Sequence, residues 1–444
     1  MNLALSKRDY HPRPPIGHRI AKASGGERIV SIFQIVDSVV SRKAYSSLMR
    51  KNTALMSARS YAYRSDLSTH DAIQYISSEF SSTKRLFVAE YDFSKYFDSI
   101  EHSHIFYTLK ANGFFVTPAE HAVIHAFLSA PLQDELNYDP EAPPKDDHVG
   151  IPQGTSISLF LANVSAWQMD RSLERVGVGF ARYADDTVIW APEFEQITRA
   201  VNILKAQSDL MGARLNHKKS HGVRLFIAPG EPAEIASTQS VSFVGYTFQD
   251  GKVRLADAVV ARMKKRIGYL IWANLLQAPQ ASSFAHSRVR PPIDRDYLVL
   301  LMQIRRYLYG NFSEARLRAL ERSAAKQIRF PGFLAYFPLV DDTEQLAALD
   351  GWLVSTIYQA LRKRAALLRG LGYTTLPTPH GMARKDLISA MGETSLGVKV
   401  DLRLPSLARF MSVLRRATNA YGANTVSRGT GAEEYQYALA GIEL

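Results

Sequence analysis

Residues 180–191 read FARYADDTVIWA, two adjacent aspartates set between two runs of apolar and aromatic residues. Both flanks have the composition of buried strand, and a short polar step between such runs reads as strand, turn, strand. Neighbouring carboxylates repel and resist burial, so Asp185 and Asp186 stand where an apolar hairpin accommodates them worst. An isolated Asp-Asp pair most often marks an exposed turn. These flanks argue instead for a rigid turn at the end of a buried sheet.

Outward from that turn, the stretch LFVAEYD (86–92) is a second β-type run, and it ends on Asp92 at the start of DFSKYFDSI (92–100). If the three strands neighbour one another in an antiparallel sheet, three carboxylates meet at one edge. Left unneutralised and partly buried, such a cluster is strongly unfavourable. A divalent ion resolves the conflict. Mg²⁺ takes oxygen ligands, needs few carboxylates and fills its other positions with water and phosphate; Mn²⁺ suits the same donors. Two such ions about 3.5–4 Å apart serve phosphoryl transfer. Asp92, Asp185 and Asp186 are therefore the expected metal ligands.

Bulk composition narrows the setting. The chain has 444 residues, 46% hydrophobic and 22% charged, enough for two or three domains. It contains no cysteine, which excludes disulfides and every Cys-ligated metal centre. The N-terminus turns basic and proline-rich at once and no stretch matches a membrane span, so a cytoplasmic protein without membrane contact is expected. Net charge is +12, and it is unevenly placed. Residues 1–251 hold 26 Lys+Arg against 27 Asp+Glu, whereas residues 252–444 hold 28 against 15. Runs such as 264–266, 362–364 and Arg415-Arg416 each read singly as solvated helix faces. A basic excess sustained over the whole C-terminal part points to a polyanion, nucleic acid first.

Periodicity predicts helices near 33–50, 68–82 (capped by Ser68 or Thr69), 102–112, 118–130, 156–175 and 193–212. Strands are expected at 86–92, 178–191 and within VSFVGYTF (241–248), with a turn at 251–252. Beyond about residue 256 strand signals nearly vanish. The acidic, proline-rich segment 131–149 reads as a surface loop.

These blocks, in this order, resemble the reverse transcriptases. KASGGERIVSI (22–32) with QIVDSVVSRKAY looks like the first fingers block, and SYAYRSDLSTHDAI (60–73) like the next. DFSKYFDSIEH resembles the first metal-binding box, GIPQGTSISLFLAN (150–163) the Pro-Gln-Gly box, and YADD the second metal-binding box. GARLNHKKS (212–220) is similar to the block with Leu-Asn and a later lysine, and FVGYTF (243–248) to the primer-grip hairpin. The likeness covers roughly residues 15–250, and its specificity lies in the number of ordered blocks.

The resemblance implies an α+β right-hand polymerase fold with fingers, an antiparallel-sheet palm, a helical thumb and a helical C-terminal extension. It places the N-terminal arm and fingers at 1–85 and the palm with part of the fingers at 86–250. A helical thumb would occupy 251–330 and a basic helical region 331–444. It makes Asp92, Asp185 and Asp186 the metal-centred triad, with two Mg²⁺ ions. Phe97 would screen the sugar 2′ carbon and favour deoxynucleotides. Gln153 and Gly154 would meet the incoming nucleotide, and Lys22, Arg28 and Arg64 its triphosphate. Lys219, with Lys218 beside it, aligns with a lysine held to protonate pyrophosphate. Tyr183, Gly245 and Tyr246 would touch primer or template. One departure stands out: the Pro-Gln-Gly box continues Thr155-Ser156-Ile157-Ser158-Leu159, without the two prolines common there.

No Cys-rich endonuclease module of the group II intron type is possible, and the retron Asn-Ala-x-x-His and Val-Thr-Gly signatures are missing. IRRYLYGNFSE (304–314), FPLVDD and LDGWLVSTIYQALRKR (337–364) look like the bacterial defence-associated reverse transcriptases. The expected function is synthesis of cDNA from dNTPs on a structured noncoding RNA, in antiphage defence. The alternatives are a maturase-like RNA-binding scaffold and a template-independent or protein-primed DNA polymerase.

Overall fold

An extended arm leads into strands β1 (Ile16–Ala21) and β2 (Glu27–Ile32), paired antiparallel from Ile16↔Ile32 to Ala21↔Glu27. The computed structural model describes residues 7–21, 26–83, 85–216, 220–281, 286–310 and 312–429. The chain divides into two units, 1–244 and 245–444. Lys22, Lys218 and Lys219 lie outside the described residues.

In the first unit, helices α1 (Ile35–Asn52) and α2 (Thr69–Ser82) follow the hairpin. Ser68 is the cap expected for α2. Its hydroxyl accepts from Asp71 N–H, and the Asp71 carboxylate accepts from Ser68 N–H, so two orphan donors of the helix end are satisfied reciprocally. Strand β3 (Arg85–Tyr91) is followed by α3 (His102–Ala111), α4 (Pro118–Leu128), α5 (Ser156–Ser165) and α6 (Trp167–Val176). Then come β4 (Gly179–Tyr183), β5 (Asp186–Ala191), α7 (Phe194–Met211), β6 (Gly222–Ile227), β7 (Ser237–Thr238) and β8 (Ser240–Phe243).

The helix expected over 156–175 is interrupted at Ala166, which leaves helical geometry at φ −90°, ψ 2°. The Ser165 hydroxyl donates back to Leu161 O at 2.8 Å, a bond that bends helices.

Five strands form one sheet in the order β4-β5-β3-β6-β7. The first four are antiparallel, as expected, and β7 adds a parallel edge. Strand β3 is apolar on both faces because both are covered. Phe87 and Ala89 join the main core with Phe180 and Ile189. Residues of alternate parity, Leu86 and Val88, pair with Phe226 and Trp190, on which Phe80 of α2 packs edge-on at 5.4 Å from the indole.

The second unit opens with a hairpin of β9 (Tyr246–Gln249) and β10 (Lys252–Leu255), turning through Asp250 and Gly251 at positive φ. Long helices follow: α8 (Asp257–Ile271), α9 (Arg295–Tyr309), α10 (Glu314–Arg322), α11 (Thr343–Gly370) and α12 (Leu407–Tyr421). Four strands of three residues also lie beyond 256, pairing 328–330 with 426–428 and 391–393 with 399–401. They are too short for alternation to declare itself. Inside this unit Arg364 is fully buried and donates to Asp294 at 2.7 Å and to Asp296 at 2.7 Å, while His380 Nε2 lies 2.8 Å from Asp294. No helix among the described residues is long and apolar enough to cross a membrane.

Candidate active site

Register alone brings the aspartates together. Strands β3 and β5 pair Val88↔Trp190 and Glu90↔Val188; one more step of two sets the position of Asp92 opposite Asp186, on the same face of the sheet. Asp185 sits in the turn just beyond β4. All three line a cleft of about 780 Å³ that also contains Arg28, Tyr183, Phe97, Gln153, Gly154, Lys95, Asp98 and Asn216. Among the described residues, four carboxylates line this cleft against two cations, Arg28 and Lys95.

The deficit shows in protonation. Burial raises Asp186 to about 7, and the charges of Asp185, Asp92 and Glu90 add to it, against the Val244 N–H that donates to its Oδ2 at 3.4 Å. Glu90, on the same face, is neutralised by Arg224 and accepts from Ser242 N–H at 3.0 Å. Among the described residues no three acidic or histidine groups close on one point as a ready-made metal cage. The donor set still suits Mg²⁺, which binds through one or two carboxylates and completes its octahedron with water and phosphate oxygens.

Beneath the turn lies a support that the sequence reading passed over. Arg182, 1% exposed, makes a bidentate pair with Asp170 of α6 at 2.8 and 2.6 Å. It also donates to the Ser60 hydroxyl at 2.7 Å and to Ala184 O at 3.0 Å. Ala184 has φ +58°, a conformation that costs a non-glycine residue energy and needs over-determined surroundings. Arg182 supplies them, since its guanidinium holds the carbonyl of the residue that precedes Asp185. Asn163 joins the same network, its Oδ1 accepting from Arg182 at 3.4 Å and from the Ser60 hydroxyl at 3.3 Å, and its Nδ2 donating to Ala62 O at 2.9 Å.

The remaining expected residues divide. Phe97 lines the cleft with its ring edge-on to Tyr96 at 5.7 Å. Gly154, at φ +112°, has no room for a side chain: a Cβ would meet Val30 at 2.7 Å and Ser31 O at 2.8 Å. What crowds it is strand β2, to which Gln153 O is bonded by Ser31 N–H at 2.6 Å. Arg64 is absent from the cleft lining. Its guanidinium pairs with Asp66 at 2.5 Å and donates to Ser57 O and Ser60 O, so it braces the segment that carries Ser60. In the second unit, Gly245 has φ +81°. Tyr246 is fully buried with its hydroxyl on Tyr336 O at 2.9 Å, leaving only backbone there to face a ligand.

Comparison with known proteins adds context. Residues 20–248, just over half of the chain, match the sequence model of the family described as reverse transcriptase (RNA-dependent DNA polymerase). An uncharacterized 91 kDa protein in the cob intron of Schizosaccharomyces pombe is 28% identical over 173 residues, covering 39% of this chain and 20% of that protein. Telomerase from Candida albicans in complex with a fragment of telomeric RNA aligns over 80% of this chain and 60% of its own, at 12% identity and a TM-score of 0.43. Its counterpart from Candida tropicalis aligns over 82% and 65%, at 12% identity and 0.40. The chain thus spans about a fifth of the intron protein and less than two thirds of either telomerase.

Proposed function

We propose, from the premise that this chain belongs to the reverse transcriptase family, that it is an RNA-directed DNA polymerase. The observation that carries the reading is Asp92, Asp185 and Asp186 together in one cleft that also holds Phe97 and Gln153. The three aspartates would hold two Mg²⁺ ions, which when bound supply charge neutralisation at the transferred phosphate. Arg28 would meet the triphosphate, joined by Lys22; Lys219 would serve the leaving group. Phe97 would exclude a 2′-hydroxyl by contact, and Tyr183 would pack against primer or template. Arg64 would act through the loop it braces, and Gly245 and Tyr246 through their backbone.

The division into fingers (1–85), palm (86–250), thumb (251–330) and basic C-terminal region (331–444) belongs to the same reading. So does cDNA synthesis from a structured noncoding RNA in antiphage defence, supported by the resemblance of residues 304–314 and 337–364.

The test is primer extension on an RNA template with dNTPs and Mg²⁺. The full chain is expected to extend, and the Asp185→Ala, Asp186→Ala double variant to lose extension while still binding RNA. Extension retained in the variant overturns the site assignment. Sequencing the nucleic acid that co-purifies separates the alternatives: templated cDNA supports this reading, untemplated or protein-linked DNA the third reading, and bound RNA without DNA a scaffold.

A further inference from the structure

Asp98 poses a problem for the cleft as read above. It is exposed, lines the cavity where an anionic triphosphate would sit, and is the fourth carboxylate there against two cations among the described residues. A carboxylate there repels the substrate unless it does something that outweighs the repulsion.

Its side-chain bond to Gln153 says what that is. Gln153 Nε2 donates to Asp98 Oδ1 at 3.0 Å. A glutamine amide offers two chemically different ends, and which end faces a ligand is free unless a neighbour decides it. The Asp98 carboxylate, which can only accept, takes the NH₂ end, so the carbonyl oxygen is the end not held by Asp98.

The backbone keeps this pair in register. Ile151 N–H donates to Phe97 O at 2.6 Å and Gly150 N–H to Ile100 O at 2.8 Å, clamping the segment of Asp98 onto the segment of Gln153. Gly150 has φ +94°, and a Cβ on it would lie 3.3 Å from Asp98 O. His102 Nε2 adds a bond to Gly150 O at 2.8 Å. The two segments thus approach as one unit, and the residue next to Phe97 is the one that holds Gln153.

The geometry points to Asp98 as a positioning residue for nucleotide selection. By fixing the amide of Gln153, it makes that side chain present an acceptor to the hydroxyl-bearing sugar of the substrate. This inference rests on the nucleotide-binding reading of the cleft. A bond of this kind, with a charged partner, acts on substrate binding, so its loss falls on KM more than on kcat.

The experiment compares Asp98→Ala with Asp98→Glu, since glutamate keeps an acceptor-only carboxylate whereas alanine offers the amide nothing. In primer extension, Asp98→Ala is expected to raise KM for dNTP about tenfold with little change in kcat. Asp98→Glu should recover most of that loss, and Asp98→Ala should add nothing in a Gln153→Ala background. Equal KM in native and Asp98→Ala proteins overturns the proposal, as does equal impairment of the alanine and glutamate variants.

A second readout needs no catalysis. With ¹⁵N-glutamine labelling, the side-chain amide signal of Gln153, identified by its loss in Gln153→Glu, should move in Asp98→Ala and move back towards its native position in Asp98→Glu. If the native chain fails to incorporate dNTPs while this signal behaves as expected, the polymerase reading falls and the positioning role stands. An amide signal indifferent to Asp98 overturns the positioning role by itself.

Discussion

Two clusters of charge, one in each unit, meet the same electrostatic problem in opposite ways. In the second unit, burial alone would raise Asp294, yet His380 and Arg364 hold its carboxyl below the ordinary range. Arg364 also reaches Asp296 and Leu275 O, and Arg288 closes on Asp296 from outside. In the cleft of the first unit, burial and neighbouring carboxylates push Asp186 up to about 7. The residue type is the same, but Asp294 and Asp296 are fully buried whereas the cleft aspartates are partly exposed, and the partners differ. A cluster that carries its own counter-charges holds a fold together; the cleft, among the described residues, holds more carboxylates than cations, as the proposed metal site requires.

The comparison breaks first at Arg364. Replacing it with methionine strands Asp294 and Asp296 in an apolar interior, and removing one partner of a buried ion pair costs about 3–5 kcal/mol. Thermal or denaturant unfolding should register a loss of that size. A loss below about 1 kcal/mol would mean that water reaches the pair and that the cluster is no lock.

Arg182 sharpens the contrast because it belongs to both kinds. Its pair with Asp170 is self-contained, yet its third arm holds Ala184 O under the aspartate turn. Lysine keeps the charge but cannot fork, so Arg182→Lys is expected to leave buried acceptors unmet at about 1–3 kcal/mol. Dideoxynucleotide-terminated single-turnover extension, run well below the melting point, should fall further than unfolding explains. Unaltered turnover in a folded variant would show that the turn holds its shape unaided.

Phe97 probes the cleft from its substrate side. Phe97→Ala should raise ribonucleotide use relative to deoxynucleotide by roughly tenfold to a hundredfold, the scale that steric contacts of this size reach. Competition between dNTP and rNTP in extension products measures it, and unchanged selectivity removes Phe97 from the gate.

How much of this was legible in the sequence follows from what each feature needs in order to show. The strands flanking Asp185 and Asp186 declare themselves through composition, and once Asp92 ends a third apolar run, period-two geometry puts the carboxylates on one edge. Ser68 announces its helix because capping is local. Arg182, inside the very stretch that decides the fold, gives no local sign. A lone arginine in a strand means nothing until Asp170, Ser60 and Asn163 arrive from other elements. Arg364, Asp294 and His380 are equally mute, since Arg364 and His380 lie 70 and 86 residues from Asp294. Arg64 and Tyr246 carry motif positions, yet their side chains are taken up by neighbours that the motif does not encode.

The smallest expected effect is the one that states the comparison most directly. A carboxyl whose folded pKa lies near 7, above its unfolded value near 4, binds its proton more tightly when folded. Stability is therefore greatest at low pH and declines as pH rises from about 4 to about 7. Asp186→Asn removes the charge and should stabilise the metal-free chain on the order of 1 kcal/mol, about 2–4 °C, at pH 8 and by less at pH 5. The figure stays well under the full pKa shift because the asparagine bonds its surroundings differently and the site is only partly enclosed. Mg²⁺ should raise the melting point of the native chain at pH 8 and narrow the gap to the variant. An equal gain at both pH values would mean that Asp186 carries no unmet charge, and the contrast with Asp294 would then rest on geometry alone.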